Sequence, residues 1–517
     1  MEFFSLQTLF FFVLFLCFSM YFYFYPSNKK QPLAKAYGNG TCYPILGHFP
    51  GIFKNRNRFL EWTTENLKKN PTNTVFICRP VNVRGIATAN PLNVEYILKT
   101  NFENYPKGDR FIKNVEDLLG SGIFNSDGEL WKVQRKTASY EFNTKSLRNF
   151  VVENVRSEIS SRLLPILRRA SKTEQVLDLQ DTLERFAFDN ICKVSFNVDP
   201  GCLEGDGTGE TEFMRAFEEA ATLSAYRFRS PWRIKKFFNT ESERRLRKSI
   251  QKVHAFANDI IIRAKMEAKE NAENMNEDLL SRFIRNHDQY STEFLRDIVI
   301  SFILAGRDTS SSALTWFFWL LSSHPNVEQK ILKELESIRV RNRKSVSDIY
   351  SFDELRDMHY LHAALSEAMR LYPPVPFDSK TCMNDDVLPD GTFIGKGWDI
   401  SYHTYAMGRM ESIWGENWHE YLPERWLENG IFRPENPFRY PVFQAGPRVC
   451  LGKYMAYIQM KSIAACVIEN FLMDVQDKET CRSYVLSLTL RMKDGLPVAV
   501  KERRASVDCD ELSTEFV

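Results

Sequence analysis

The most informative stretch of this 517-residue chain is Phe443-Gln-Ala-Gly-Pro-Arg-Val-Cys-Leu-Gly452. It places Cys450 directly before a predicted helix, where free backbone N–H groups and the positive end of the helix dipole stabilise an anion. Gly446 and Gly452 permit a tight backbone approach on both sides of the sulfur. A cysteine in such a turn is expected to act as a thiolate, which requires a lowered pKa.

Ten cysteines are scattered along the chain, and none forms a C-x-x-C pair. In so long a chain this pattern predicts neither a disulfide framework nor a zinc site, and it favours a reducing, cytosol-facing compartment. The net charge of +2 gives no reason to expect nucleic-acid binding. The 40 phenylalanines can line a deep apolar cavity as well as fill an ordinary core. Cys450 is therefore the thiol for which a special role is expected.

The N-terminal segment Phe3–Tyr25 is almost entirely apolar and carries no charge, and about 20 such residues span a bilayer as a helix. A cleaved signal peptide is the competing interpretation, but Glu2 rather than a basic residue precedes the segment, and no small-x-small cleavage site follows. Tyrosines typical of an interfacial belt and then lysines come next, which predicts that the remaining chain faces the cytosol. These residues are Tyr21, Tyr23, Tyr25, Lys29, Lys30 and Lys35.

The predicted organisation begins with a transmembrane anchor over residues 1–27 and a Pro- and Gly-rich hinge over residues 28–52. One catalytic domain is expected over residues 53–502, because no linker interrupts it. A polar tail is predicted over residues 503–517.

Helical periodicity dominates the catalytic domain, so a mainly α fold with small β-sheets is expected. A hairpin is predicted from Thr74–Ile77 and Val81–Thr88, and a terminal hairpin from Val485–Leu490 and Leu496–Val500. A long helix is predicted over Thr292–Ser323. It is apolar on nearly every face except at one charged point midway, which is typical of a helix at the centre of a large domain.

The spacing F-x-x-G-x-R-x-C-x-G over residues 443–452 resembles the haem-binding signature of the cytochrome P450 family at every fixed position. Three further motifs follow in the family's order: Trp131 with Arg135, Ala305–Thr309, and Glu367 with Arg370. The resemblance implies the P450 fold, in which haem b lies between the long central helix and the helix that follows the cysteine. It also implies an enzyme, a monooxygenase that uses O2 and electrons derived from NADPH.

The resemblance assigns several residues to the haem. Cys450 is implied to be the axial iron ligand, since a thiolate opposite bound oxygen pushes electron density that favours O–O cleavage. Arg448 is a fixed cation suited to a haem propionate, and Phe443 can shield the sulfur from water. The full set of implied cofactor-binding residues is Cys450, Trp131, Arg135, Phe443, Gly446, Arg448 and Gly452.

Thr309 and Asp308 are the implied catalytic residues of the central helix. A hydroxyl and a carboxylate in an otherwise apolar helix can organise the water that delivers protons during oxygen activation. A threonine that bonds back to its own helix is the competing interpretation, but it does not explain the neighbouring Asp308.

Glu367 and Arg370, together with Arg425 downstream, are implied to form a buried ion-pair network with a structural role. Trp426 departs mildly from the family pattern, which usually has Phe at this position.

Finer motifs resemble the plant fatty-acid ω-hydroxylase clan, among them residues 122–125, 138–143, 188–193, 370–380 and 488–496. The clan implies hydroxylation at the terminal carbon of a long-chain fatty acid. A jasmonoyl–amino acid and the C-26 position of a steroid side chain stay open as alternatives. The implied walls of the substrate site are Phe111, Val115, Phe302, Ala305, Val375, Phe377 and Leu488, and the candidate anchors for a carboxylate are Lys107, Arg110 and Arg227.

A haem-thiolate isomerase and a non-catalytic haem or lipid-binding protein are the other classes considered. The Asp308–Thr309 pair and the normal-length cysteine loop favour the monooxygenase. The sequence has no flavin or dinucleotide fingerprint, so a membrane-bound NADPH–cytochrome P450 reductase is the expected partner. Its expected docking patch is basic and consists of Lys132, Lys136, Arg439 and Lys453. The expected location is the endoplasmic reticulum membrane, single-pass, with the catalytic domain facing the cytosol.

Overall fold

The computed structural model describes residues 11–16, 19, 42–43, 46–80, 83–142, 145–204, 212–230, 232–270, 278–286, 290–346, 348–476 and 483–503. The chain forms two compact units, each assembled from separate segments. The first consists of Met1–Arg110, Pro376–His419 and Asn436–Val449. The second consists of Phe111–Val375, Glu420–Glu435 and Cys450–Val517.

The first unit contains a four-stranded sheet whose strands, in spatial order, are Thr74–Arg79, Val83–Thr88, Asp399–Tyr402 and Asp378–Thr381. The outer pairs are antiparallel and the middle pair is parallel. The predicted first hairpin is confirmed, with Thr74 opposite Thr88. A two-stranded ribbon pairs Asp386–Val387 with Phe393–Ile394.

The helices of the first unit are short. They are Phe49–Lys54, Phe59–Lys68, Pro91–Glu95, Thr404–Met407 and Glu411–Trp414, with 3₁₀ or π turns at Arg56–Arg58, Tyr96–Thr100, Phe102–Asn104, Pro441–Phe443 and Gly446–Arg448. Helix Phe49–Lys54 overlaps the last residues of the predicted hinge. It tolerates Pro50 because this residue lies in the first turn, where a backbone N–H has no helical partner to lose.

The second unit is mainly helical. Its helices are Gly108–Leu119, which begins in the first unit, Gly128–Phe142, Lys145–Glu158, Leu164–Thr173, Leu179–Phe196, Glu212–Tyr226, Trp232–Phe237, Glu241–Glu270, Leu279–Asn286, Thr292–Ile303, Thr309–Ser322, Pro325–Asn342, Phe352–Asp357, His359–Leu371 and Lys453–Asn470. Its 3₁₀ or π turns are Ile159–Leu163, Arg227–Arg229, Leu304–Asp308 and Pro423–Trp426. The prediction of a mainly α fold with small sheets is confirmed.

Thr292–Ile303, Leu304–Asp308 and Thr309–Ser322 form one continuous helix, termed the central helix. It confirms the predicted long helix. Ser291 caps its first turn, and a π-helical segment occupies Leu304–Asp308, where the predicted charged interruption falls. A π segment widens the backbone and often marks a functional site.

The apolar side chains of the central helix belong to the connected core of the second unit, termed the apolar cluster. This cluster contains the buried side chains of Val115 and Phe302 and also draws on helices Glu212–Tyr226 and Glu241–Glu270. Burial of so much apolar surface is the main force that holds a domain of this size together.

The predicted terminal hairpin is wrong in its pairing. Tyr484–Leu486 pairs with Leu490–Met492, and these two strands are termed the 484–492 hairpin. Pro497–Glu502 instead lies between Phe471–Val475 and Val176–Asp178 in a three-stranded sheet. A further ribbon pairs Leu427–Glu428 with Ile431–Phe432.

Most of the predicted anchor lies outside the described residues, and the same holds for residues 504–517 of the predicted tail. Within the described part of the chain, no helix is both long and apolar enough to cross a membrane. Arg503 is part of the fold, because its Nε donates to the Ile468 carbonyl at 2.8 Å. The polar tail therefore begins after Arg503.

Candidate active site

Cys450 lies at the start of helix Lys453–Asn470, as predicted. Burial raises the pKa of its thiol, while the backbone amides of Gly452 and Lys453 and the positive charges of Arg135 and Lys453 act in the opposite direction. The net shift is upward, so the expected lowering of this pKa is wrong for the protein alone. Coordination of a metal cation would lower the pKa of the thiol where the amides do not suffice, since a thiol that binds a metal is deprotonated outright.

The Cys450 side chain is accessible, although the protein atoms around it desolvate the thiol. No cluster of three or more His, Cys, Asp or Glu side chains that could hold a bare metal ion occurs in the described part of the chain. A single thiolate would suit a haem iron, because the macrocycle itself would supply the other ligands.

The two glycines near Cys450 serve different purposes. Gly446 has φ +65°, and a Cβ there would lie 2.0 Å from the Leu98 carbonyl oxygen, so only glycine fits. A Cβ at Gly452 would meet Phe142 and the Cys450 sulfur only at 3.8 and 3.9 Å. The close approach at Gly446 is toward Leu98, and Gly452 contributes its amide to the Cys450 thiol. The expected tight approach of both glycines around the sulfur stays a prediction.

Trp131 and Arg135 lie on helix Gly128–Phe142 in the second unit. Trp131 is buried and Arg135 is half-buried. The Arg135 charge acts on the Cys450 thiol, which places this cation in the surroundings of the sulfur. Their predicted role at a propionate stays a prediction, as does shielding of the sulfur by Phe443, which ends a turn of the first unit.

A buried charged cluster that the sequence did not predict surrounds Asp378 in the first unit. The carboxylate accepts hydrogen bonds from Lys107 at 2.7 Å, Lys380 at 2.8 Å and Gln444 at 2.8 Å. Burial alone would raise the pKa of Asp378, but the two lysines hold it well below its usual range.

Positive charge predominates in this cluster. Burial lowers the pKa of Lys380 to about 7, and the charges of Lys107 and Arg448 add to that effect. A buried site with more cations than anions suits a ligand carboxylate, because such a ligand relieves the repulsion. The setting of Arg448 therefore fits the role at a haem propionate that the resemblance implies.

The central helix presents a half-buried face at Ala305, Gly306 and Thr309, whereas Leu304 and Asp308 are buried. Gly306 is needed for packing, because a Cβ there would lie 2.4 Å from the Ile191 side chain. Thr309 donates its hydroxyl to the Ala305 carbonyl at 2.6 Å. The back-bonding considered as the competing interpretation is thus present, while the hydroxyl oxygen keeps its acceptor capacity.

Asp308 faces a second charged network that the sequence did not reveal. Arg307 donates to Asp308 at 2.8 Å and to Glu184 at 3.3 Å. Arg491 of the 484–492 hairpin donates to Glu184 at 2.7 Å and also pairs with Glu218. Burial raises the pKa of Asp308 to about 6, opposed by Arg307 and Arg491 and supported by Glu184 and Glu218. The upward direction of this shift is the one that a proton-delivering carboxyl requires.

The raised pKa of Asp308 predicts a pH-dependent contribution to stability. Because about 6 lies above the ordinary 3.8, the stability that Asp308 contributes is complete below the ordinary value and is lost as the pH rises through 6. Between pH 4 and 6 the free energy of unfolding should fall in the wild type by about 2 kcal/mol more than in Asp308→Asn, because the variant lacks the titrating carboxyl. Urea unfolding at several pH values measures this difference.

Asp353→Asn is the matched control, since it removes a carboxylate that is 79% exposed. Its unfolding free energy should follow the wild-type curve across the same pH range. Identical pH profiles for Asp308→Asn and the wild type would show that Asp308 titrates normally.

The predicted ion-pair network at Glu367 is present. Arg370 donates to both carboxylate oxygens of Glu367 at 2.8 and 2.7 Å, and Arg425 donates to it at 3.3 Å. The indole N–H of Trp426 donates to Glu367 at 2.9 Å, which explains why tryptophan stands where the family usually has phenylalanine. Phenylalanine has no such donor.

Most of the predicted substrate walls belong to the second unit. Val115 and Phe302 are buried in the apolar cluster, and Phe111 and Leu488 pack against it half-buried. Val375 is half-buried in the same unit. Phe377 differs, because in the first unit its ring packs on Phe59 at 5.9 Å and on His403 at 5.2 Å.

The three predicted carboxylate anchors are already bound to carboxylates of the protein. Lys107 pairs with Asp378 at 2.7 Å, and Arg110 pairs with Asp399 at 3.2 Å. Arg227 pairs with Asp117 at 2.8 Å and Glu243 at 2.6 Å. None of the three is poised to bind a substrate, so these candidates are not supported.

The predicted basic docking patch divides between the units. Lys132, Lys136 and Lys453 lie in the second unit, whereas Arg439 lies in the first, where it donates to the Ile413 carbonyl. The role of this patch remains a prediction.

Comparison with known proteins identifies relatives over nearly the whole chain. The family described as cytochrome P450 matches residues 38–495. Cytochrome P450 CYP94D108 of Paris polyphylla is 53% identical over 88% of this chain and 91% of its own length. Cytochrome P450 94C1 of Arabidopsis thaliana is 48% identical over 86% and 89%, and cytochrome P450 94A1 of Vicia sativa is 46% identical over 89% and 90%. The matched range contains all the candidate residues described above.

Proposed function

The chain belongs to the cytochrome P450 family, and on that premise we propose that this monooxygenase hydroxylates the terminal carbon of long-chain fatty acids. As a member of the family it is an oxidoreductase that binds haem through an axial cysteine thiolate, and the family motif assigns that role to Cys450. When bound, the haem supplies the activation of O2 and the transfer of one oxygen atom to a C–H bond.

The observation that supports the proposal is that two features occur together in the second unit. It contains both the accessible Cys450 thiol and the apolar cluster, against which Phe111 and Leu488 pack half-buried. Half-buried apolar side chains can exchange their solvent contact for contact with an alkyl chain, which favours binding of a long apolar substrate.

Attack at the terminal carbon is a problem of positioning. A methyl C–H bond is stronger than the C–H bonds of the neighbouring methylenes. The protein must therefore hold the methyl group close to the haem and keep the methylenes away from it. Ala305 and Thr309 lie one helical turn apart and are half-buried, whereas Leu304 and Asp308 are buried. These two positions can contact the end of an extended chain.

Proton delivery is assigned to Thr309 and Asp308. The Thr309 hydroxyl donates to Ala305, which fixes the orientation of its oxygen and leaves a lone pair that can accept a hydrogen bond from water. Asp308 supplies the proton, and Arg307 together with Glu184 holds its carboxylate in place. The same residues argue against an isomerase, which would need no proton supply.

The proposed partner is a membrane-bound NADPH–cytochrome P450 reductase, because the family's reaction draws its electrons from a redox partner. The proposed location is the endoplasmic reticulum membrane, with residues 1–27 as a single anchor and the remaining chain in the cytosol. The support for both is the uncharged apolar segment Phe3–Tyr25 and the lysines that follow it.

Incubation of microsomes that contain the full chain with reductase, NADPH and lauric or oleic acid tests the proposal. We expect the terminal alcohol as the first product, identified by mass spectrometry, and no product when NADPH is omitted. Absence of any oxidised fatty acid, together with turnover of a 22-hydroxylated sterol, would overturn the fatty-acid assignment in favour of a steroid side chain. A product formed without NADPH would contradict the monooxygenase itself.

A further inference from the structure

Arg229 is a half-buried cation whose surroundings differ from those of other arginines of the second unit. It ends the 3₁₀ turn Arg227–Arg229, directly after helix Glu212–Tyr226. Its guanidinium donates to the Leu486 carbonyl at 3.2 Å. Among the described residues it forms no ion pair, and the phenols of Tyr226 and Tyr484 lie close enough to affect its pKa.

Three other arginines of the second unit are paired with carboxylates, unlike Arg229. Arg227 binds Asp117 and Glu243. Arg307 and Arg491 both bind Glu184. A desolvated guanidinium without a carboxylate is costly, because the charge loses hydration and gains no counter-ion. Burial accordingly lowers the pKa of Arg229. Such a group is stabilised when an anion arrives.

The position of Arg229 connects it to the proposed substrate site. Phe228 precedes it and packs on Phe111 at 5.3 Å. The carbonyl to which Arg229 donates belongs to the 484–492 hairpin, whose Leu488 packs against the apolar cluster. Thr222 of the preceding helix also donates to Ser487 of this hairpin, at 3.2 Å. Arg229 therefore lies beside the apolar side chains expected to hold the substrate.

We propose that the guanidinium of Arg229 binds the carboxylate of the substrate and so selects long apolar molecules with an anionic end. This inference rests on the proposed function and deepens it. A guanidinium offers two parallel N–H donors to a carboxylate, and the pair is strongest where water is scarce. Fatty acids and jasmonoyl–amino acids both carry such a carboxylate, whereas a neutral sterol does not. The Leu486 carbonyl orients the guanidinium without neutralising it.

Arg229→Gln and Arg229→Lys test the proposal, with Arg233→Gln as the matched control, because Arg233 is an exposed cation on the adjacent helix Trp232–Phe237. The dissociation constants for lauric acid and for its uncharged methyl ester are measured by the substrate-induced difference spectrum. Arg229→Gln should weaken binding of the acid roughly 10- to 100-fold and change binding of the ester by less than about twofold. Arg229→Lys should recover part of the loss, and Arg233→Gln should bind both ligands as the wild type does.

Equal weakening of acid and ester in Arg229→Gln would assign Arg229 a structural role and overturn the inference. Unchanged binding of the acid in this variant would overturn it as well. A wild-type protein that binds neither lauric acid nor jasmonoyl-isoleucine but binds a neutral 22-hydroxylated sterol would instead refute the proposed function. The ratio of the dissociation constants for acid and ester tests the role of Arg229, whereas binding of the acid by the wild-type protein tests the substrate class.

Discussion

Replacing Cys450 with alanine should abolish NADPH-dependent hydroxylation, because no other thiol is expected to ligate the haem iron. Without the thiolate the iron loses the electron donation that favours O–O cleavage. Reductase, membrane and substrate site are unchanged in this variant. Product formation from lauric acid, measured with the full chain and reductase, checks the expectation.

Cys466→Ala is the matched control for this substitution. Cys466 lies on the same helix, Lys453–Asn470, and burial raises the pKa of its thiol to about 12, so it stays neutral. Its removal should cost about 1 kcal/mol of stability through a small cavity and leave turnover intact. Turnover in Cys450→Ala at the wild-type rate would contradict the assignment of the ligand.

Replacing Glu367 with alanine should remove most of the folded protein. The side chains of Glu367 and Arg370 are both 0% exposed, so the variant leaves a buried guanidinium without its counter-ion. Breaking a buried pair in this way costs about 3–5 kcal/mol, which is a large part of the stability of an ordinary domain. Trp426 and Arg425 also lose their shared acceptor. Thermal unfolding at one scan rate, followed by haem absorbance, measures the loss.

Glu428→Ala provides the comparison with an exposed ion pair. Glu428 pairs with Arg433 at 2.9 Å, and these side chains are 66% and 62% exposed. Because solvent screens such a pair, its loss should cost less than about 1 kcal/mol. Similar destabilisation by the two substitutions would mean that the Glu367 network contributes no more than a surface contact.

Local patterns predicted much of the fold and of the site. The position of Cys450 before a helix, the long central helix and the Glu367–Arg370 pair depend on residues close in sequence, where helical spacing decides which side chains meet. The π segment at Leu304–Asp308 falls at the charged interruption of the helix. Periodicity and the cysteine motif predict the position of Cys450 and the long helix, and the family resemblance implies the Glu367–Arg370 pair. Neither predicts the π geometry of Leu304–Asp308.

Pairing between distant segments could not be predicted in the same way. Val498 pairs with Leu177, and Met473 pairs with Val500. Alternating apolar residues identify a strand but do not identify its neighbour, because the choice depends on packing across the whole unit. The pattern therefore locates the strands near the C-terminus but predicts the wrong partner for them.

The charged clusters were missed for a related reason. Lys107 lies far along the chain from Asp378, and Glu184 lies far from Arg491. A lone lysine or glutamate in a sequence is most often solvated, so only the fold indicates which ones are buried together. For the same reason, the sequence does not show that its candidate anchors already pair with carboxylates of the protein. These anchors are Lys107, Arg110 and Arg227.

The spectrum of the reduced full-length protein under carbon monoxide tests the central claim most directly. Thiolate ligation by Cys450 predicts a Soret band at about 450 nm. A band at about 420 nm in freshly prepared protein would contradict a haem-thiolate enzyme.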